Sequence, residues 1–172
     1  MIVKHIQLAL AVSALIWSVP AWAGDREPEI NIDYTLNCIK YSENAFDCVG
    51  EAAGACTNLS PSIKGMTGCL ALERDYWQVR MTEAFDGLLS RYSSFDSLNS
   101  DNTNYNKTNY KSLVDGVNLM HLGWIEFRDA SCRQHRFAHG ESEQLKFQET
   151  QCLMEMNGEQ TLYLEWVLEG RP

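Results

Sequence analysis

Hydrophobic residues recur every three to four positions along most of this chain, and no segment shows the alternation typical of strands. In the longest amphipathic stretch, Trp77, Met81, Ala84 and Leu88 lie on one face of a helix. The predicted helices cover residues 34–41, 46–55, 67–92, 110–133 and 142–168. A Ser-, Asn- and Asp-rich loop is expected at 93–109, and a turn at 137–143. The pattern therefore predicts an all-α fold, a small helical bundle of three main helices plus two short N-terminal helices.

The N-terminal segment has the layout of a secretory signal peptide. Lys4 precedes an apolar run at residues 8–17, and Pro20 is followed by Ala21-Trp22-Ala23, a small-x-small cleavage site. The run is shorter than the roughly 20 apolar residues that a membrane span needs. We therefore expect a signal peptide at residues 1–23, one domain at 24–172, and a periplasmic or secreted protein after cleavage near Ala23.

Charge limits the classes of partner. The chain carries 14 Lys and Arg against 23 Asp and Glu, a net charge of −9. Loss of Lys4 with the signal peptide would leave −10. Nucleic-acid-binding domains are usually basic, so no nucleic-acid partner is expected. No later segment reaches the length of a membrane span, so none is expected in the mature chain.

The chain contains six cysteines, and all follow the predicted cleavage site. They are Cys38, Cys48, Cys56, Cys69, Cys132 and Cys152. An even count in an exported protein predicts three disulfides. Cys48 and Cys56 would lie roughly 12 Å apart on one helix, too far to bond to each other. We favour the local pairs Cys38–Cys48, Cys56–Cys69 and Cys132–Cys152; a crossed pairing of the first four is the alternative.

Metal and catalytic signatures are weak. There is no CxxC pair, and His135 and His139, although four residues apart, lack a third ligand. The sequence also has no GxSxG, HExxH or P-loop motif. We therefore expect no enzyme activity, metal or cofactor; a small metal-dependent hydrolase is the least favoured alternative.

Two segments resemble a known family. Met66-Thr67-Gly68-Cys69, which follows Cys56, is similar to its opening motif, and the segment WIEFRDASC at 124–132 is similar to its central WIxYRDAxC. The family is that of the LprI-type lysozyme inhibitors, and the resemblance extends over about residues 38–170. Phe127 replaces the usual Tyr, and His121 stands where Gln is common.

The resemblance implies an exported, disulfide-linked helical domain that inhibits lysozyme. The expected partner is a cationic lysozyme or another envelope protein. The alternative function is that of a non-inhibitory periplasmic module in envelope stress or assembly.

The central motif also has a structural interpretation. Trp124, Arg128 and Asp129 fall at positions i, i+4 and i+5 of a predicted helix. Arg128 is expected to stack on Trp124 and to pair with a carboxylate on a neighbouring helix. Direct recognition of a partner by these residues is the alternative.

The last helix divides into two arcs when it is projected at about 100° per residue. The arc expected to face the core contains Leu145, Cys152, Leu153, Met156, Tyr163 and Val167. A second, acidic arc, well separated from the first, contains Glu155, Glu159, Leu162, Glu165, Trp166 and Glu169. No Lys or Arg lies between Gln148 and Gly170 to neutralise it. An apolar anchor among carboxylates suits a cationic partner, so this arc is the predicted binding face; the alternative is that Leu162 and Trp166 pack under the short N-terminal helices.

Overall fold

The computed structural model describes residues 27–98 and 112–170, with side chains throughout except at residues 135–139. Its elements are α1 (Asp33–Tyr41), a 3₁₀ turn (Ala45–Cys48), α2 (Glu51–Thr57), α3 (Ile63–Leu98), α4 (Leu113–His139) and α5 (Glu143–Leu168). These residues contain no strand, which confirms the all-α prediction with three main helices. Within the same ranges, no helix has the length and apolar character needed to cross a membrane. The predicted signal peptide lies outside the described residues and stays a prediction.

The long helices extend beyond their predicted ends. The α3 helix begins at Ile63, where the Ser62 hydroxyl accepts a hydrogen bond from the Gly65 N–H at 3.1 Å. It continues through 93–98, which we expected to be loop; residues 99–109 lie outside the description. Serine is tolerated there because the Ser94 hydroxyl donates to the Ser90 carbonyl at 3.1 Å. The α4 helix likewise continues into the predicted turn, and Gly140, with φ +78°, follows its last residue.

The core lies mainly between α3 and α5. The predicted stripe of α3 is confirmed, because Trp77, Met81, Ala84 and Leu88 are all buried. Around Trp77 lie Ala53, Leu70, Met154 and Leu162. The second cluster contains Met81, Ala84, Leu88 and Leu164. Each large side chain of this kind contributes about 1.5–3 kcal/mol by leaving water, so the pairing of α3 with α5 dominates the stability of the bundle.

The prediction of which arc of α5 faces the core is wrong. Its members Leu145, Cys152, Leu153, Met156 and Val167 are only partly buried, and Tyr163 is 44% exposed. The buried residues are instead Thr150, Met154, Asn157, Gly158, Thr161, Leu162 and Leu164. This face is buried because α5 approaches α3 and Val49 closely. A Cβ at Gly158 would lie 2.8 Å from Val49 Cγ2 and 3.2 Å from Trp77 Cε2. Small residues are needed where α5 meets α3 and Val49 at this distance.

A buried carboxylate ties the N-terminal elements to α3. Glu73 is completely buried. Its oxygens accept hydrogen bonds from Thr35 Oγ1, Gly50 N, Ala53 N and Trp77 Nε1. These four donors come from α1, the start of α2 and α3, so one side chain holds three elements together. The sequence pattern gave no sign of this role, because Glu73 resembles any other acid of an amphipathic helix.

All three disulfides of the favoured pairing are confirmed. The bonds join Cys38 to Cys48, Cys56 to Cys69, and Cys132 to Cys152. No cysteine is free. The first two fix the short N-terminal elements, and the third joins α4 to α5. The crossed alternative is therefore excluded.

Candidate functional site

The predicted binding face of α5 is only partly a solvent-exposed surface. Glu155, Glu159 and Glu169 are exposed, and Trp166 is 38% exposed. Leu162 is only 8% exposed and belongs to the core around Trp77, so its expected role as an exposed anchor is wrong. Leu162 is buried because it belongs to the face of α5 that packs against the core. The exposed part of the face is therefore a line of three acids with one indole.

Glu165 is neutralised by a base from another helix. Its two carboxylate oxygens accept hydrogen bonds from Arg80 Nε at 2.5 Å and Arg80 Nη2 at 3.0 Å. Arg80, on α3, also donates to the Tyr76 hydroxyl at 3.1 Å and lies over the Trp77 ring. Burial alone would lower the pKa of Arg80, but the hydrogen bonds and charge of Glu165, with Tyr76, raise it. We expected no base to neutralise Glu165 because none occurs near it in α5, but the neutralising base lies on α3.

Beside this ion pair is an open groove of about 620 Å³, here called the α5 groove. The turn at residues 42–46 forms one wall, and Leu162, Tyr163, Trp166 and Glu169 form the other. Asn44 stiffens the turn, because its side chain accepts from the Phe46 N–H and donates to Asp47. Leu162 therefore packs inward, as the alternative interpretation expected, whereas Trp166 stays accessible at the edge of the groove.

The α5 groove combines carboxylates with aromatic surface. Glu43 contributes an acid from the turn, and Glu169 contributes one from α5. Phe46 is 46% exposed, and Trp166 lies 6.1 Å from the ring of Tyr163. Arg80 is the only base among the groove-lining residues described, and Glu165 balances its charge. Such a surface attracts cations and can hold the apolar stem of Lys or Arg against a ring.

The central motif serves to hold the helices together. Arg128 stacks on Trp124 as predicted, with its guanidinium carbon 5.0 Å from the ring centroid. Its carboxylate partner is Asp129 on the same helix, at 2.7 Å, so the expected carboxylate on a neighbouring helix is wrong. The groups it reaches on other helices are amides, Gln78 at 3.3 Å and Asn157 at 3.1 Å. These contacts connect α4 to α3 and α5, which supports the structural interpretation.

His121 was noted in the sequence only as a departure from the family pattern. Its ring stacks on Phe85 with centroids 4.1 Å apart, and lies 6.1 Å from Trp124. Nδ1 is a buried side-chain nitrogen with no hydrogen-bond partner among the described residues. Burial lowers the pKa of His121, and the charge of Arg128 lowers it further. Both effects favour the neutral ring, so His121 belongs to the packing between α3 and α4.

The described residues contain no group of three or more side chains arranged to hold a metal ion. The side chains of His135 and His139 lie outside the description. What the described surface offers is an acidic and aromatic groove suited to binding.

Comparison with known proteins identifies the family. The lysozyme inhibitor LprI family matches residues 56–164. The chain belongs to this family. It is also 24% identical over 128 residues to a Rhodobacter capsulatus protein described as an uncharacterized 17.7 kDa protein in the puhA 5′ region, covering 72% of this chain and 76% of that one. No solved structure matches the chain.

The LprI match covers the helical core and only part of the groove. It includes the Cys56–Cys69 and Cys132–Cys152 disulfides, Glu73 and the Trp124 motif. It begins after the turn at residues 42–46 and ends two residues before Trp166. Both walls of the α5 groove thus include residues beyond the matched range.

Proposed function

We propose that this protein is exported and inhibits a cationic lysozyme by binding it at the α5 groove. Membership of the lysozyme inhibitor LprI family supports the class of partner. The observation that carries the choice of site is the groove itself, with Trp166 and Phe46 among Glu43 and Glu169. A binding protein needs no catalytic residue, and the acidic surface complements a basic enzyme.

The groove would act in two stages. Exposed carboxylates on α5 would accelerate the encounter, because complementary charges raise association rates most at low salt. Trp166 would then supply the buried contact, since Trp is among the residues that most often dominate interface energies. Because 38% of Trp166 is exposed, a partner could cover that part of the side chain while the rest stays packed in the fold.

Glu165 has a different role in this proposal. Because it holds Arg80 in a bidentate pair, its reversal would leave an unpaired base and disturb α3. Glu155 and Glu159 are exposed on α5, so they are the better positions at which to test steering. The role proposed for Glu165 is to hold Arg80 in position beside the groove.

Trp166→Ala tests the contact. We expect it to weaken inhibition of lysozyme by about thirtyfold, which corresponds to a loss of binding free energy of about 2 kcal/mol. Its melting temperature should stay within a few degrees of the wild type, because the removed ring is partly exposed. Tyr34→Ala is the matched control: Tyr34 is 57% exposed near the start of α1 and is not among the residues that line the groove. Lysozyme activity, isothermal titration and thermal melting are measured on all three proteins.

The outcomes separate the site from the function. Equal inhibition by wild type and Trp166→Ala would show that the binding site lies elsewhere on the protein, with lysozyme still the partner. If the wild type neither binds nor inhibits lysozyme of any type, the proposed function is wrong. A pull-down from the native compartment would then test the non-inhibitory envelope role.

A further inference from the structure

The outward face of α4 carries large apolar side chains that the described chain does not cover. Leu119, Leu122 and Phe127 are 57%, 60% and 63% exposed. At about 100° per residue they share the outer half of the helix with Gly123 and Ala130. Single exposed apolar residues are ordinary, but a contiguous group on one face marks an interaction surface.

We propose that this face binds the same face of a second copy, with the two α4 helices antiparallel. The two-fold axis would pass between Trp124 and Ile125. Leu119 and Ala130 lie equally far from that point on opposite sides, so each Leu119 would pack on the small Ala130 of the second copy. A contact of this isologous kind uses one surface twice and closes as a dimer.

The charges at the two ends of the face fit the same arrangement. Asp115 and Arg133 lie on one line of α4, about five helical turns apart, with the axis close to midway between them. Antiparallel pairing therefore places Asp115 beside Arg133 of the second copy at both ends, whereas parallel pairing would place Asp115 beside Asp115. Arg133 already contacts Asp129 at 3.3 Å and Glu149 at 3.6 Å, but its side chain remains 50% exposed. It can therefore reach a second carboxylate from outside.

Shape supports the close approach of the helices. A Cβ added at Gly123 would meet nothing within 4 Å, so this position is open and can receive Glu126 of the second copy. The two copies of Leu122 would meet around one end of the two-fold axis, and the two copies of Phe127 around the other end. These side chains with Leu119 expose roughly 350 Å² per copy, which with the polar rim predicts an interface at the small end of the range for specific dimers. An anionic membrane is disfavoured as occupant, because Asp115 and Glu126 lie on the same face.

The first test is the oligomeric state of the disulfide-intact mature protein by sedimentation between about 1 and 200 µM, the range for a small interface. We expect a reversible dimer for the wild type and a monomer for Leu119→Glu. Asp86→Arg, on the exposed side of α3, should dimerise like the wild type. A wild type that stays monomeric throughout, or a Leu119→Glu variant that still dimerises, would overturn the proposal.

The second test fixes the antiparallel geometry. Asp115→Arg alone and Arg133→Asp alone should each weaken self-association by about tenfold, since each places like charges together at both ends. An equimolar mixture of the two variants should restore dimers, because each Arg then meets an Asp of the other protein. Circular dichroism melts establish that both variants are folded. If the mixture associates no better than either variant alone, the proposed pairing is wrong.

Discussion

Gly158 occupies a point of close approach between α5, Val49 and Trp77. Alanine normally favours a helix over glycine by about 1 kcal/mol. Here the new methyl group would meet both γ-carbons of Val49, a β-branched residue with little rotamer freedom. We expect Gly158→Ala to lower the free energy of unfolding by about 1–2 kcal/mol, because overpacking outweighs propensity.

The control for this prediction is Gly54→Ala in α2. A Cβ there would meet nothing within 4 Å, so the substitution should raise the free energy of unfolding by up to about 1 kcal/mol. Urea unfolding of both variants gives the comparison. Equal stabilisation by the two substitutions would contradict the close packing at Gly158.

His121 should make stability depend on pH. Its pKa in the folded protein is below the ordinary value of 6.5, because burial and the charge of Arg128 disfavour the charged ring. The unfolded chain therefore binds more protons in the window from about 6.5 down to the lowered pKa, so stability falls as pH falls through that window. The wild type should lose more melting temperature than His121→Gln between pH 8 and pH 5. A constant difference between the two proteins across this range would refute the assignment.

Residue roles were predictable where they depended on neighbours along one helix. The stacking of Arg128 on Trp124 followed from their spacing of four. The partners of Arg128 on α3 and α5 did not, because spacing within a helix carries no information about which helix lies opposite. Glu73 was missed for the same reason, since its donors come mainly from α1 and α2.

Among the elements, α4 is fastened to α5 by the Cys132–Cys152 disulfide. The bond closes a loop of 20 residues, which corresponds to about 3 kcal/mol on the chain-entropy model. The double variant Cys132→Ala/Cys152→Ala should lose about this much free energy of unfolding. Hydrogen exchange should increase in the C-terminal half of α4, while α3 around Trp77 keeps its protection. Unchanged exchange in α4 would show that packing alone holds the hairpin.

The buried face of α5 is not its most hydrophobic face. The most hydrophobic arc was assigned to the core, yet the buried face contains Thr150, Asn157 and Thr161. These polar groups are hydrogen-bonded: the Thr161 hydroxyl donates to the Asn157 carbonyl at 2.7 Å within α5, and the Asn157 side chain donates to Gln78 on α3. Small residues with satisfied hydrogen bonds let α5 approach α3 closely. Hydrophobicity alone does not reveal that requirement.

For the whole molecule, the all-α class, the approximate helices and the presence of three disulfides were predictable, because periodicity and cysteine count are read directly from the chain. The pairing of the first four cysteines was not, since spacing left a crossed alternative open. The α5 groove was not, since its walls are separated by more than a hundred residues in the chain. The sequence indicated the acids and Trp166 on one arc, but not the turn at residues 42–46 that faces them. Arg80 was absent from the predicted site for the same reason.

Association kinetics with lysozyme test the proposed binding face most directly. The wild type is compared with Glu155→Lys/Glu159→Lys, which changes two acids on the same exposed face of α5 as Trp166. The control is Glu29→Lys/Asp86→Lys, which changes the net charge equally at exposed positions outside both α5 and the groove. We predict that the first pair of reversals slows association by about tenfold at low salt, leaves dissociation nearly unchanged, and loses its effect at high salt. The second pair should slow association only slightly. Equal slowing by both pairs would mean that net charge alone governs the encounter, and this result would contradict binding at the α5 groove.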